Sequence, residues 1–145
     1  MAAKAYDGRS VIADIVEGCS GLILKSTVIK ALRAVCRYFG GQLIYIPVTK
    51  NMGGTIDEFR GVIVDAVGDE VGEKILNKIT TLFGGAQIYI PMEKGAFRKI
   101  IALEIFEHYD GSKKKVRDLC REYGMSFTQV YRLWIEGRGS NKKNK

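Results

Sequence analysis

The segment FGGQLIYIPVTK at residues 39–50 returns as FGGAQIYIPMEK at residues 83–94, 44 positions on, with eight of twelve residues identical. The stretches before the two copies match in pattern as well, Leu32 falling on Leu76 and Val35 on Ile79. Each copy has the same grammar. An amphipathic run ends at a glycine pair, where residues free to take φ > 0 stop a helix at least cost. A short run of β-branched and aromatic types follows, and a proline ends its capacity for strand hydrogen bonding. Two copies are too few for a solenoid, so the pattern describes a duplicated helix–helix–strand unit. A short strand alone on a helical scaffold leaves its edges unpaired, which is unfavourable. The duplication therefore predicts an antiparallel two-stranded ribbon, closed either within one chain or across two.

Taken in order, the spacing of apolar residues predicts a short helix over residues 10–16 and a longer one over 26–39, with Ile29, Leu32, Val35, Cys36 and Phe39 on one side. A strand follows at residues 42–46 and a loop at 49–54. Thr55 with Glu58 has the form of a capping box and launches a helix to Val67. Asp69 is placed to cap the next, which carries Val71, Ile75, Leu76, Ile79 and Phe83. The second strand occupies residues 86–90. Beyond Gly95 a helix is predicted over 96–109, with Phe97, Ile100, Ile101, Ile105 and Phe106 apolar, then a turn at Asp110-Gly111 and a cap at Ser112.

The chemistry gathers near the C-terminus, in VRDLCREYGMSFTQVYRLWI at residues 116–135. Val116, Leu119, Cys120 and Tyr123 make one helical stripe; Phe127, Val130, Leu133 and Trp134 make a second. Gly124 stands between them, and Ser126 with Gln129 gives the reciprocal cap of a new helix. Helix, glycine turn and capped helix in one register is the layout of a helix-turn-helix DNA-binding unit. An ordinary core hairpin has the same outline. It would not explain why the outward positions of the second helix, Thr128, Gln129, Tyr131 and Arg132, can all hydrogen-bond, stack or pair with phosphate.

Charge points the same way. Residues 1–110 carry 13 Lys/Arg and 13 Asp/Glu, whereas residues 111–145 carry 10 and 3, so the net +7 lies wholly in the last quarter. A polyanion partner for that end is the simplest account, with Lys113, Lys114, Lys115, Arg117 and Arg138 as phosphate contacts. A basic membrane-surface segment would need apolar anchors that the Gly, Ser, Asn and Lys of residues 137–145 do not supply; those residues read as a flexible tail. Cys19, Cys36 and Cys120 are scattered, with His108 the lone histidine, so no metal site or haem site and no cofactor is expected, and the thiols read as reduced core residues. The first residues lack the long apolar run of a signal peptide, and no stretch approaches the ~20 apolar residues that span a bilayer, so a cytoplasmic location is expected. No nucleophile elbow, phosphate loop or paired His/carboxylate motif appears, and a recombinase would need several arginines around a serine, whereas Ser10 has only Arg9 beside it. The chain does not read as an enzyme.

These motifs, F-G-G-x-x-I-Y-I-P, then an aromatic-Asp-Gly turn, then V-R-D-L-C-R-E-Y-G-M-S-x-x-x-V-Y, resemble the Mor/C family of phage middle and late transcription activators over roughly residues 55–135. The residues give a mainly α fold, a helical N-terminal region with two short β-strands and then a C-terminal three-helix helix-turn-helix domain, and the resemblance implies that the N-terminal region serves dimerisation. It implies homodimers in a bacterial host cell that bind an inverted repeat in double-stranded DNA near a promoter and recruit RNA polymerase. Carried over by position, Ser126, Thr128, Gln129, Tyr131 and Arg132 belong to the recognition helix, and Gly84, Gly85, Gln87 and Tyr89 to a strand segment near the DNA or the dimer axis. The organisation expected is a first repeat at 1–54, a second at 55–92, a DNA-binding domain at 93–137 with its boundary in 92–95, and a tail at 138–145. A repressor, or a recombination or architectural DNA-binding protein, is the alternative. The extra N-terminal copy has no counterpart in the family pattern. Of the two ways to pair the strands, pairing across a homodimer is favoured, because a single reading head would leave most of the net charge of +7 without a second half-site, and because Ile44, Ile46, Ile88 and Ile90 would otherwise be exposed in part.

Overall fold

In the computed structural model, which describes residues 11–48 and 54–143, the duplicated segments fold alike. The chain is mainly α, with eight helices and one two-stranded antiparallel sheet among the described residues. It divides into two compact units, with the boundary between Ala96 and Phe97.

The first unit holds α1 (Val11–Gly18), α2 (Lys25–Phe39), β1 (Gln42–Ile46), α3 (Thr55–Val67), α4 (Asp69–Phe83), β2 (Ala86–Ile90) and the single turn α5 (Glu93–Ala96). Helices α2 and α4 have the same length, 15 residues, and the same offset as the repeat. They bury equivalent faces, Leu32, Val35 and Cys36 on one and Leu76 and Ile79 on the other. Helix α3 packs on α2, and α1 on α4, so each copy leans on the other.

Strands β1 and β2 pair with each other, antiparallel, within the chain. This corrects the expectation of pairing across a homodimer. The expected exposure of the ribbon's apolar side also fails, because Ile44, Ile46, Ile88 and Ile90 are all buried against this unit's own helices. The register is centred on Ile44 opposite Ile88, which are equivalent positions of the two copies, so the ribbon has a local two-fold through that pair. Hydrogen bonds at its ends obey the same symmetry: the Gly41 N–H donates to the Ile90 carbonyl and the Gly85 N–H to the Ile46 carbonyl, both at 2.7 Å. The other face of the ribbon, Leu43, Tyr45, Gln87 and Tyr89, is exposed.

Two expected caps do not form. Helix α3 starts from Gly54 and α4 from Gly68, neither with a side-chain cap. Thr55 and Asp69 thus lie one position inside their helices, past the place from which a side chain closes the first turn. Asp57, Glu58, Asp69 and Glu70 still put negative charge where the helix dipole favours it. The loop expected at 49–54 falls, up to residue 53, outside the described residues. Helix α5 is held to α2 by Glu93, which accepts from Arg33 Nε at 3.0 Å and from Arg37 Nη2 at 2.9 Å. Burial, then the nearby Glu93 carboxylate, pushes the Cys36 thiol up to about 12, so this cysteine stays protonated in the core.

The second unit consists of α6 (Arg98–His108), α7 (Lys113–Tyr123) and α8 (Phe127–Lys143). The helix expected at 96–109 is therefore broken. Phe97, fully buried, leaves helical geometry at φ −119°, ψ 30° and separates α5 from α6. Helix α8 runs on to Lys143, into the segment expected to be a flexible tail from residue 137 on, whose last two residues lie outside the described ones. Gly137 is the reason: a Cβ there would collide with the Ala102 carbonyl and the Phe106 side chain. Glycine serves as a point of close approach, letting α8 cross α6 backbone to backbone, and does not stop the helix. No described helix is long and apolar enough to cross a membrane.

Candidate nucleic-acid interface

The second helix of the C-terminal pair can present a defined face only if its start and its rotation are both fixed. The chain fixes its start three times over. Gly124 sits in the left-handed region at φ 60°, ψ 43°, and its N–H and that of Met125 both donate to the Cys120 carbonyl, closing α7. The Ser126 hydroxyl accepts from the Gln129 N–H at 3.2 Å while Gln129 Oε1 accepts from the Ser126 N–H at 3.0 Å, the reciprocal cap that the sequence predicts. Met125 and Val130, the residue before the cap and the fourth helical residue, are both buried, the positions of a hydrophobic staple.

Rotation is fixed by what lies beneath. Val130 and Leu133 are buried, as are Val116 and Leu119 of α7 and Ile101, Ala102 and Ile105 of α6. Arg98 at the start of α6 grips Glu136 of α8 through two nitrogens, with Nη2 at 2.7 Å, and that hydrogen bond raises the guanidinium's pKa further. The Tyr123 hydroxyl donates to Glu104 Oε2 at 2.6 Å and ties α7 to α6. Trp134 lies among Phe106, Tyr109 and Tyr131, with the Arg138 guanidinium 5.0 Å from its ring centre. At the head of α7 the Ser112 hydroxyl accepts from the Lys115 N–H, as expected of a cap. The Ser112 hydroxyl, then its N–H, hold the Asp110 carboxyl below its ordinary range.

With start and rotation fixed, the outward residues of α8 follow. Thr128, Tyr131 and Arg132 are exposed, as expected, and Ser126 and Gln129 are exposed but engaged in the cap. Phe127 does not join the inward stripe. It is 59% exposed and stacks on Tyr131, ring centres 6.4 Å apart and planes within 9°. Ile135, one turn beyond Tyr131, is 44% exposed. By type neither residue reads as part of a site, because an apolar residue at helical spacing reads as core. The signal for Phe127 was present in the staple: once Met125 and Val130 close the helix start, no inward place is left for it. Lys113, Lys114, Arg117 and Arg138 are exposed and Lys115 half-buried, all in this unit. Gly84, Gly85, Gln87 and Tyr89 are exposed on the other unit, where Gln87 lies opposite Tyr45 and Tyr89 opposite Leu43. No group of three or more His, Cys, Asp or Glu able to hold a metal ion occurs among the described residues.

Residues 49–144, about two thirds of the chain, match the family model of the Mor transcription activator family. The chain belongs to the Mor transcription activator family. No curated protein and no solved structure matches it. The Mor match starts after β1, so it takes in α3, α4, β2 and the whole three-helix unit and leaves out the first copy of the repeat. Family membership makes this chain a transcription activator by kind.

Proposed function

We propose that the chain is a sequence-specific double-stranded DNA-binding regulator that activates phage or prophage genes in a bacterial host cell. Its α7–α8 pair acts as a helix-turn-helix with α8 in the major groove. The observation that carries this reading is the reciprocally capped α8, which turns Thr128, Tyr131 and Arg132 outward on the unit that holds the charge excess. Lys113, Lys114, Lys115, Arg117 and Arg138 hold backbone phosphates, and Ser126 and Gln129 set the helix in position without reading bases. Membership of an activator family supports activation and, with it, contact with RNA polymerase.

One helix-turn-helix reads half a site, so an inverted repeat takes two chains. Because the ribbon is closed within each chain, we place the homodimer on the DNA and not in free solution. Sedimentation of the DNA-free protein at micromolar concentration should give a ~16 kDa species, the mass of one chain; a stable dimer would refute this order of assembly. Footprinting on DNA flanking the native gene should show two protected half-sites about one helical turn apart. Uniform coverage without boundaries at any concentration would refute sequence reading, and reduced transcription from the neighbouring promoter would make the protein a repressor.

A further inference from the structure

Phe127 closes no turn and fills no core position where it stands. The turn before it is closed by Gly124, the helix start by Ser126 and Gln129, and the staple positions by Met125 and Val130. A phenylalanine left 59% exposed at the first position of a helix leaves an apolar ring open to a partner. It is also not loose. Its ring stacks on Tyr131, which leans on Trp134 at 5.8 Å, and Trp134 packs on Phe106 and Tyr109. The aromatic row is thus rooted in the core at one end and bare at the other.

The surroundings restrict what can meet it. Lys113, Lys114, Arg117, Arg121 and Arg132 make the unit electropositive, which favours a polyanion. On a duplex, the apolar group open to a major-groove helix is the 5-methyl of thymine, and residues near the N-terminus of such a helix are those that reach base edges.

We infer that Phe127 is a specificity-determining residue that reads thymine 5-methyl groups, held in place by Tyr131. This rests on the DNA-binding function proposed above and adds a base preference to it: the half-site contains thymine beneath the start of α8. Ile135 lies further along the same exposed strip and extends it.

The test separates the two claims. Sites are first selected from a random duplex pool with the full-length protein, then each thymine of the selected half-site is replaced by deoxyuridine, which lacks only the methyl. One or two positions should lose about fourfold in affinity each, the worth of one buried methyl. Phe127→Ala, which removes an exposed ring and should melt like the parent, should bind thymine and uracil duplexes alike; Phe127→Leu should keep part of the difference. A selected half-site without thymine, equal binding of thymine and uracil duplexes by the parent, or an undiminished difference in Phe127→Ala would each overturn the inference while leaving DNA reading intact. Failure to select any sequence would overturn the DNA-binding reading itself.

Discussion

The repeat unit is assembled from two copies of one pattern, and its order comes mostly from burial. Its isoleucines meet across a local two-fold, its α3 and α4 start without side-chain caps, and the sequence that contains it is electrically balanced. The three-helix unit is a single copy, and nearly every junction in it is closed by a named polar contact: Ser112, Gly124, Ser126 with Gln129, Tyr123 with Glu104, Arg98 with Glu136. Apolar burial is not directional, so it can hold two copies together without choosing a rotation for either helix finely. Hydrogen bonds add direction to the rotation that burial sets, and a helix that reads a partner needs that rotation held closely. The contrast teaches where each kind of interaction is indispensable.

The largest test of that contrast is at Gly137. Gly137→Val should cost about 3 kcal/mol or more in chemical denaturation, because the added carbons meet the backbone of Ala102 and the Cβ of Phe106, neither of which can swing aside. Gly139→Ala, on the same helix with open space around it, should be neutral or stabilising by up to ~1 kcal/mol. Similar losses from both would show that the close crossing of α6 and α8 is absent.

Next come the paired isoleucines. Ile44→Ala and Ile88→Ala should each cost ~2–4 kcal/mol, and by nearly equal amounts, since the two positions exchange under the local two-fold. Leu133→Ala should cost as much but in the other unit, with loss of DNA binding. A normally binding Leu133→Ala protein would mean that the outward face of α8 has been assigned in the wrong phase.

Arg132→Ala leaves stability alone and changes binding. Its cost should be ~1–3 kcal/mol, concentrated at one base pair if the guanidinium reads guanine and uniform over sequences if it holds phosphate. No change in affinity, selection or salt dependence would remove it from the interface.

The smallest effect makes the sharpest comparison. Ser126→Ala should cost ~1 kcal/mol, because its hydroxyl accepts a helix N–H. Thr55→Ala, from a sequence motif of the same form, should fall within ~0.5 kcal/mol of zero, because no side-chain cap forms at the head of α3. Equal costs measured by thermal melting would say that the two helix starts are alike after all.

Those two motifs also show what a sequence can and cannot specify. Strand bounds, the glycine stops and the α7–α8 turn were legible because each depends on residues within a few positions of one another. Thr55 failed because the choice between it and Gly54 as the first cap depends on how α3 docks on α2. The same holds for Gly137, which looks like a helix end until Ala102 is seen to lie against it. Phe97 belongs to a helical pattern locally, yet it ends up between two helices with its ring fully buried. In the candidate site, the cap and the polar outward residues could be read directly. Phe127 could not, since its type argues for the core and only the completed helix start shows that the core has no place for it. The partner of each strand was open for a further reason: a symmetric ribbon satisfies the same pattern whether its two halves share a chain or not.

That shared chain changes how the ribbon responds to dilution. Between two molecules, strand pairing would follow mass action and dissolve as copy number fell. Joined by residues 47–85, which include α3 and α4, the strands see each other at a concentration set by the chain itself, however few molecules the cell contains. The first copy of the repeat therefore makes the ribbon a property of the gene product and not of its abundance, and a single newly made chain already carries it whole.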